Sequence, residues 1–275
     1  MTKLQLAKLH ATGNDFLVRV ALDGDTHDGL ARALAPATVV ALCDRHRGIG
    51  ADGLITIASG GNGADCTMIL QNADGGTAEM TGNGARCLAW VAARAGLGRT
   101  DELVVDTGGG RRTIALTRDS LGNVAAADVD MGPVVLGETD LAVSGGDVAY
   151  VGDVASVGNP HLVCFVADPA AVPVTVHGPV IEHDARFPQR TNVEFIRVVT
   201  PDTIEMRVWE RGAGETLSCG TGACASVAVA HRRGLVGTDV RVLVLGGELR
   251  VALGDTVRLG GPVVHVFDID LDVDA

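Results

Sequence analysis

The sequence predicts an α+β protein of two pseudo-symmetric domains, each a curled, mostly antiparallel, barrel-like sheet around a buried central helix. The first observation is an internal duplication. Thr81–Leu97 (TGNGARCLAWVAARAGL) lies without a gap over Cys219–Leu235 (CGTGACASVAVAHRRGL), at a constant offset of 138 residues. At the same offset Met68–Asn72 lies over Met206–Glu210. At an offset of 145, Gly13-Asn14 matches Gly158-Asn159. Self-similarity on this scale marks a repeated structural unit. The second observation is a succession of short β-prone runs separated by turn residues, and the third is one strongly apolar helix in each half.

Strands are expected over 4–9, 16–21, 53–58, 66–71, 103–107 and 112–117 in the first half. The second half repeats the rhythm over 148–154, 162–166, 193–199, 203–209, 240–244 and 248–251. The apolar helices are read as 84–95 and 222–233, ended by Gly96 and Gly234 in the position of a C-cap glycine. Ala85, Cys87, Leu88, Ala89, Trp90, Val91 and Ala92 leave little polar face, and a helix apolar almost all round is buried. Further helices are expected over 29–34, 37–43 and around 180–183. A last strand, 263–269, is expected to return to the first domain. With the crossover placed at the turn-forming run 120–123, the domains become 1–120 plus 264–275, and 121–263.

A chain of 275 residues is long enough for two such domains. Its formal net charge of −12 carries no electrostatic footprint for nucleic acid. No apolar run reaches the roughly 18 residues of a membrane span, and the N-terminus has no signal-peptide pattern, so a cytoplasmic protein is expected. The six cysteines form no C-x-x-C pair and no clear metal-ligand spacing, so neither a disulfide framework nor a metal is expected. Only two lysines occur, Lys3 and Lys8, neither near a chemical-looking segment. A pyridoxal phosphate enzyme needs a lysine for its Schiff base, so cofactor-free chemistry on a small molecule is favoured.

Gly82-Asn83-Gly84 and Gly220-Thr221-Gly222 open the two apolar helices, where unpaired backbone N–H groups make an anion site. Two such starts related by a pseudo-two-fold are suited to one carboxylate. Cys219 directly precedes the second start, where the partial positive charge is expected to favour its thiolate as base or nucleophile. The other cysteines lack that setting, and Cys87 and Cys224 read as core.

Taken in order, the motifs His10–Phe16 (HATGNDF), Gly50–Gly53 (GADG), Asn72–Gly75 (NADG), Gly82–Arg86 (GNGAR), Gly158–His161 (GNPH), Thr191–Glu194 (TNVE), Trp209–Gly212 (WERG) and Cys219–Gly222 (CGTG) resemble those of the diaminopimelate epimerases. The resemblance runs nearly end to end. It implies cofactor-independent conversion of LL-diaminopimelate to the meso form, for lysine and peptidoglycan synthesis, by two cysteines on opposite faces of the substrate α-carbon, in a homodimer. By matched position Cys219 is one of that pair. His161 and Glu210 match polar residues beside the thiols. Asn14, Asn72, Asn159, Asn192 and Arg211 match substrate-holding residues, and Gly82, Asn83, Gly220 and Thr221 match the backbone groups that bind the α-carboxylate.

The second cysteine of the pair falls at Thr81. A threonine hydroxyl is far less acidic than a thiol and does not act as a general base at neutral pH without an activating partner. Three outcomes are open on the sequence: an epimerase with impaired turnover, an amino-acid racemase or dehydratase paralogue working with one thiol, or a protein that binds substrate as a sensor.

Overall fold

Alternation and turn chemistry set out most of the strands, and the computed structural model, which describes residues 2–22, 33–98 and 101–273, shows how they pair. The chain divides into two compact units, 1–129 with 261–275, and 130–260. The first contains β1 (Thr2–Ala11), β2 (Asn14–Ala21), α1 (Pro36–Cys43), β3 (Gly53–Ser59), β4 (Cys66–Asn72), β5 (Thr77–Ala78), α2 (Gly82–Arg94), β6 (Glu102–Thr107), β7 (Gly110–Arg118) and β8 (Val124–Asp130). The second contains β9 (Val135–Leu136), β10 (Leu141–Ser144), β11 (Ala149–Ser156), β12 (Pro160–Phe165), α3 (Val174–Glu182), β13 (Asn192–Thr200), β14 (Thr203–Glu210), β15 (Gly214–Glu215), α4 (Gly220–Arg232), β16 (Asp239–Val244), β17 (Gly247–Leu253) and β18 (Val257–Pro262). The final strand, β19 (Val264–Val273), pairs antiparallel with β1 in the first unit, as expected.

In the first unit the strands run β19-β1-β2-β3-β4-β6-β7-β8, antiparallel except for β2 with β3 and β4 with β6. In the second they run β10-β11-β12-β13-β14-β16-β17-β18, and the parallel pairs recur at the same places, β12 with β13 and β14 with β16. The duplication is therefore one of topology as well as of sequence. Each sheet wraps its own helix: α2 packs on β1, β2, β3, β4 and β7, and α4 on β11, β12, β13, β14 and β17. Neither sheet closes. Among the described residues no pairing joins β8 to β19 or β18 to β10, so the expected barrel-like curl is that of an open sheet.

Ten of the thirteen residues of α2 are buried, as the absence of a polar face requires. Both central helices end in the same hydrogen-bonded cap. Gly96 and Gly234 sit at φ +75° and +69°, and the N–H groups of Leu97 and Leu235 return to the carbonyls of Ala92 and Ala230. Both helices begin two residues earlier than the pattern suggested, which makes Thr81 and Cys219 their N-caps.

Other expectations shift slightly. The helix read around 180–183 is α3, displaced towards the N-terminus because Val174, His177, Gly178 and Ile181 form its buried stripe. Residues 29–32 of another expected helix lie outside the described residues. The run 120–123, read as the crossover, closes the β7–β8 hairpin instead, with Asp119 accepting the Leu121 and Asn123 N–H groups. No helix among the described residues is long and apolar enough to cross a membrane.

Gly84 gives a direct test of the α2 packing. A Cβ there would lie 2.5 Å from the Thr81 methyl and 2.9 Å from Ile55 Cδ1. Gly84→Ala is expected to lower unfolding free energy by about 1–3 kcal/mol in urea titration. Gly61→Ala, in open space, is expected to change it by less than about 0.5 kcal/mol.

Candidate active site

In the second unit the start of α4 gathers the chemistry. Cys219 is extended (φ −116°, ψ 112°), and its Sγ accepts the Gly222 N–H at 3.3 Å. Thr221 Oγ1 lies 3.5 Å from the same sulfur. Glu210, the last residue of β14, accepts a hydrogen bond from the Thr216 hydroxyl and stands close enough to Cys219 for each to influence the other's ionisation. Glycine at 222 is required for a second carboxylate to reach the helix start, because a Cβ there would lie 2.6 Å from Glu194 Oε1.

These neighbours reverse one expectation. Burial pushes the Cys219 thiol well above its ordinary pKa, and the negative charges of Glu210 and Glu194 push it further. Thr221 and the Gly222 N–H oppose the shift. The magnitudes explain the outcome: a helix N-terminus is worth about 0.3–2 kcal/mol to an anion. Full burial costs a charged group up to about 3–5 pKa units, each about 1.4 kcal/mol. Cys219 therefore rests as the thiol. Burial also holds the Glu210 carboxyl above the usual carboxylate range, which prepares it to take the thiol proton. The thiols at Cys66 and Cys87, pushed up to about 12 by burial, have no such partner and are core.

His161, on β12, is fully buried. Its Nδ1 lies 2.7 Å from Glu194 Oε1 and its Nε2 lies 3.0 Å from Asn159 Oδ1. Asn159 Nδ2 in turn donates to Thr221 Oγ1 at 3.2 Å. His161 thus reaches Cys219 through two intermediates rather than directly. Asn192, opposite His161 in the parallel β12–β13 register, donates to Pro160 O at 2.8 Å and accepts the Arg211 N–H at 2.9 Å. That pair of bonds fixes the turn carrying Arg211, whose exposed guanidinium donates to Gln189 O at 3.0 Å.

In the first unit Thr81 caps α2 with extended backbone (φ −139°, ψ 135°), but its side chain makes no cap hydrogen bond. Asn83 is buried and donates to Asn14 Oδ1 at 3.1 Å, while Arg86 donates to Asn83 Oδ1 at 2.8 Å. Asn14 Nδ2 donates to Asp52 Oδ2 at 2.6 Å. Gly82 is buried beside them at the helix start, and Asn72 is exposed at the end of β4.

The structure brings Cys219, Glu210, Thr221, Gly220, Asn159 and His161 together in the second unit, and Thr81, Gly82, Asn83 and Asn14 together in the first. Sequence reasoning gave no role to Glu194, Thr216, Asp52 or Arg86. For Glu194 a signal existed: it stands two residues after Asn192 on one strand, and such residues share a face.

An apolar helix wrapped by a sheet, repeated twice with a polar cluster at the helix start, defines the duplicated fold of the racemases and epimerases. Solved structures agree. A hydroxyproline epimerase from Agrobacterium vitis superposes with a TM-score of 0.74 at 15% identity, over 98% of this chain and 91% of that one. A PhzF-family phenazine biosynthesis protein from Enterococcus faecalis superposes with a TM-score of 0.74 at 13% identity, over 99% and 100%. The sequence is more specific. The family model for diaminopimelate epimerase matches residues 6–137 and 154–265. The chain is 40% identical to the diaminopimelate epimerase of Synechococcus elongatus over 290 residues, 99% of both proteins. It is 41% identical to that of Paraburkholderia xenovorans over 299 residues, 98% of this chain and 99% of the relative. The chain belongs to the diaminopimelate epimerase family.

If the Glu210 charge holds Cys219 as a thiol, Glu210→Gln lowers the thiol pKa. Iodoacetamide labelling of Cys219 at pH 7 is then expected to quicken by about tenfold, one pKa unit's worth. Unchanged or slower labelling would show that Glu210 does not govern the sulfur.

Proposed function

We propose that the protein interconverts LL- and meso-diaminopimelate without a cofactor, with Cys219 as its one thiol proton carrier and with turnover limited by Thr81. The observation that carries the reading is the intact Cys219–Glu210 pair at the start of α4, in a chain that belongs to this family along nearly its whole length. Glu210 takes the thiol proton and the thiolate removes the substrate α-proton, so the negative charge passes from the pair to the α-carbanion. A proton returned to its opposite face, from water in the absence of a second thiol, inverts the centre. The backbone N–H groups of Gly220 and Thr221 at the start of α4 suit the α-carboxylate, and those of Gly82 and Asn83 repeat that anion-binding arrangement at the start of α2. Asn14, Asn72, Asn159 and Asn192 hold the substrate, and the exposed Arg211 guanidinium suits its distal carboxylate through a bidentate pair. His161 supports the site through Asn159. A cytoplasmic location and a homodimer complete the reading.

Thr81 supplies no comparable proton carrier, because its hydroxyl has no side-chain cap bond and the residue that repeats Glu210 is Asn72, which has no acid–base function. Loss of one positioned acid or base is worth on the order of 10²- to 10⁴-fold. The same observation favours a second reading, a protein that retains binding and one-sided proton exchange while inverting the centre slowly or not at all.

Product analysis by chiral chromatography after incubation with LL-diaminopimelate tests the reading. Slow formation of the meso isomer is expected, abolished by Cys219→Ala and accelerated on the order of 10²-fold or more by Thr81→Cys. Failure of Thr81→Cys to raise turnover would mean that position 81 is not the second proton-carrying position.

A further inference from the structure

We propose that Glu194 is a positioning residue: by pairing with His161 it sets the direction of a hydrogen-bond relay that ends as a donor on the Cys219 sulfur. The inference rests on the reading of Cys219 as the proton carrier, and none of the expected site residues includes Glu194.

The direction follows from counting donors and acceptors. Glu194 and His161 are both completely buried, with Nδ1 2.7 Å from Oε1. The other ring nitrogen, Nε2, faces the Asn159 carbonyl oxygen at 3.0 Å. Both nitrogens thus face acceptors, and the ring satisfies both only with a hydrogen on each. The carboxylate is what permits this state, since its charge cancels that of the ring and no net charge is buried. Glu194 Oε2 has no hydrogen-bond partner among the described residues, so the contact with His161 is the principal compensation for burying this carboxylate.

From the ring outward each link has one sense. Nε2–H donates to Asn159 Oδ1, which turns Asn159 Nδ2 towards Thr221 Oγ1 at 3.2 Å. With its oxygen already accepting from Asn159, the Thr221 hydroxyl is free to donate to Cys219 Sγ, 3.5 Å away. The sulfur then has two donors, the Thr221 hydroxyl and the Gly222 N–H, both of which favour the thiolate. A singly protonated ring allows the opposite sense, with Asn159 turned over and the Thr221 hydroxyl donating away from the sulfur.

Glu194 also acts on Cys219 through its charge, with the opposite sign, as Glu210 does. The groups facing the sulfur are Glu210 from β14, Glu194 from β13, and Thr221 with the Gly222 N–H from α4; His161 on β12 stands behind Asn159. A single substitution therefore mixes two effects, whereas a double-mutant cycle separates them. The charge effect of Glu194→Gln persists when Thr221 is replaced, and the relay effect does not.

The experiment measures the pH profile of iodoacetamide labelling at Cys219 in the wild-type protein, Glu194→Gln, Thr221→Val and the double variant. Relative to the Thr221→Val background, Glu194→Gln in the Thr221 background is expected to carry an additional slowing of about tenfold at neutral pH, the value of one hydrogen bond to the thiolate. Equal factors in the two backgrounds would overturn the relay. Imidazole ¹⁵N shifts of His161 in the wild-type protein give a reading that needs no variant to fold. A hydrogen on each ring nitrogen is expected, and a ring with only one would overturn the proposal. Neither measurement uses substrate, so a protein that passes both yet forms no meso isomer keeps this inference and loses the epimerase reading.

Discussion

The Cys219 sulfur sits at the N-terminus of α4, where the helix favours its anion, and beside two carboxylates in a buried pocket, which oppose it. Much of the second unit serves that opposition. The glycine at 222 admits Glu194 to the first turn, the end of β14 delivers Glu210, and the paired β12 and β13 bring His161 and Asn192 into register. A thiol held in this way stays protonated at rest, beside a carboxyl that burial has made more receptive to a proton. Carbon acids need a strong base shielded from water, and a buried thiol beside a carboxylate is an arrangement in which one negative charge can be shared between sulfur and oxygen.

The duplication makes the chemical asymmetry of the two halves visible. Strand order and the two parallel pairs repeat, as do the buried helix and its glycine cap. At the helix starts the copies diverge. Thr81 stands over Cys219, Asn72 over Glu210, and Arg86 over Cys224. The first unit therefore has neither thiol nor carboxyl at the repeated positions. Its polar residues are spent on fixing amides instead: Arg86 holds Asn83, Asn83 and Asp52 hold Asn14, and Arg45 holds Asp52. Such a network suits binding, since an amide locked by its neighbours loses little freedom when a ligand arrives.

The parts of this architecture that depend on local pattern were legible in the sequence. The two apolar helices, their terminal glycines, most of the strands and the return of β19 to β1 follow from periodicity and repetition. The short strands β5, β9, β10 and β15 were not legible, because two to four residues carry no period. The β8 strand was hidden by a turn that looked like a domain boundary, and β18 by its glycines. In the site, residue identities were readable from the motifs, but the protonation state of Cys219 was not. It is set first by burial and then by Glu210 and Glu194, which strand pairing brings to the helix start. Thr216 acts through one hydrogen bond and Asp52 through a small cluster of them, neither of which leaves a trace in a linear pattern.

The central claim is that one thiol carries the α-proton, and deuterium exchange in D₂O reads it directly. Each isomer of diaminopimelate is incubated separately, and deuterium at the α-carbon is followed in recovered substrate and in inverted product. With Cys219 acting alone, one isomer is expected to gain deuterium in recovered substrate faster than it yields inverted product, and Thr81→Cys is expected to remove that excess. Inversion as fast as exchange in both isomers would contradict the account, as would the absence of exchange in either.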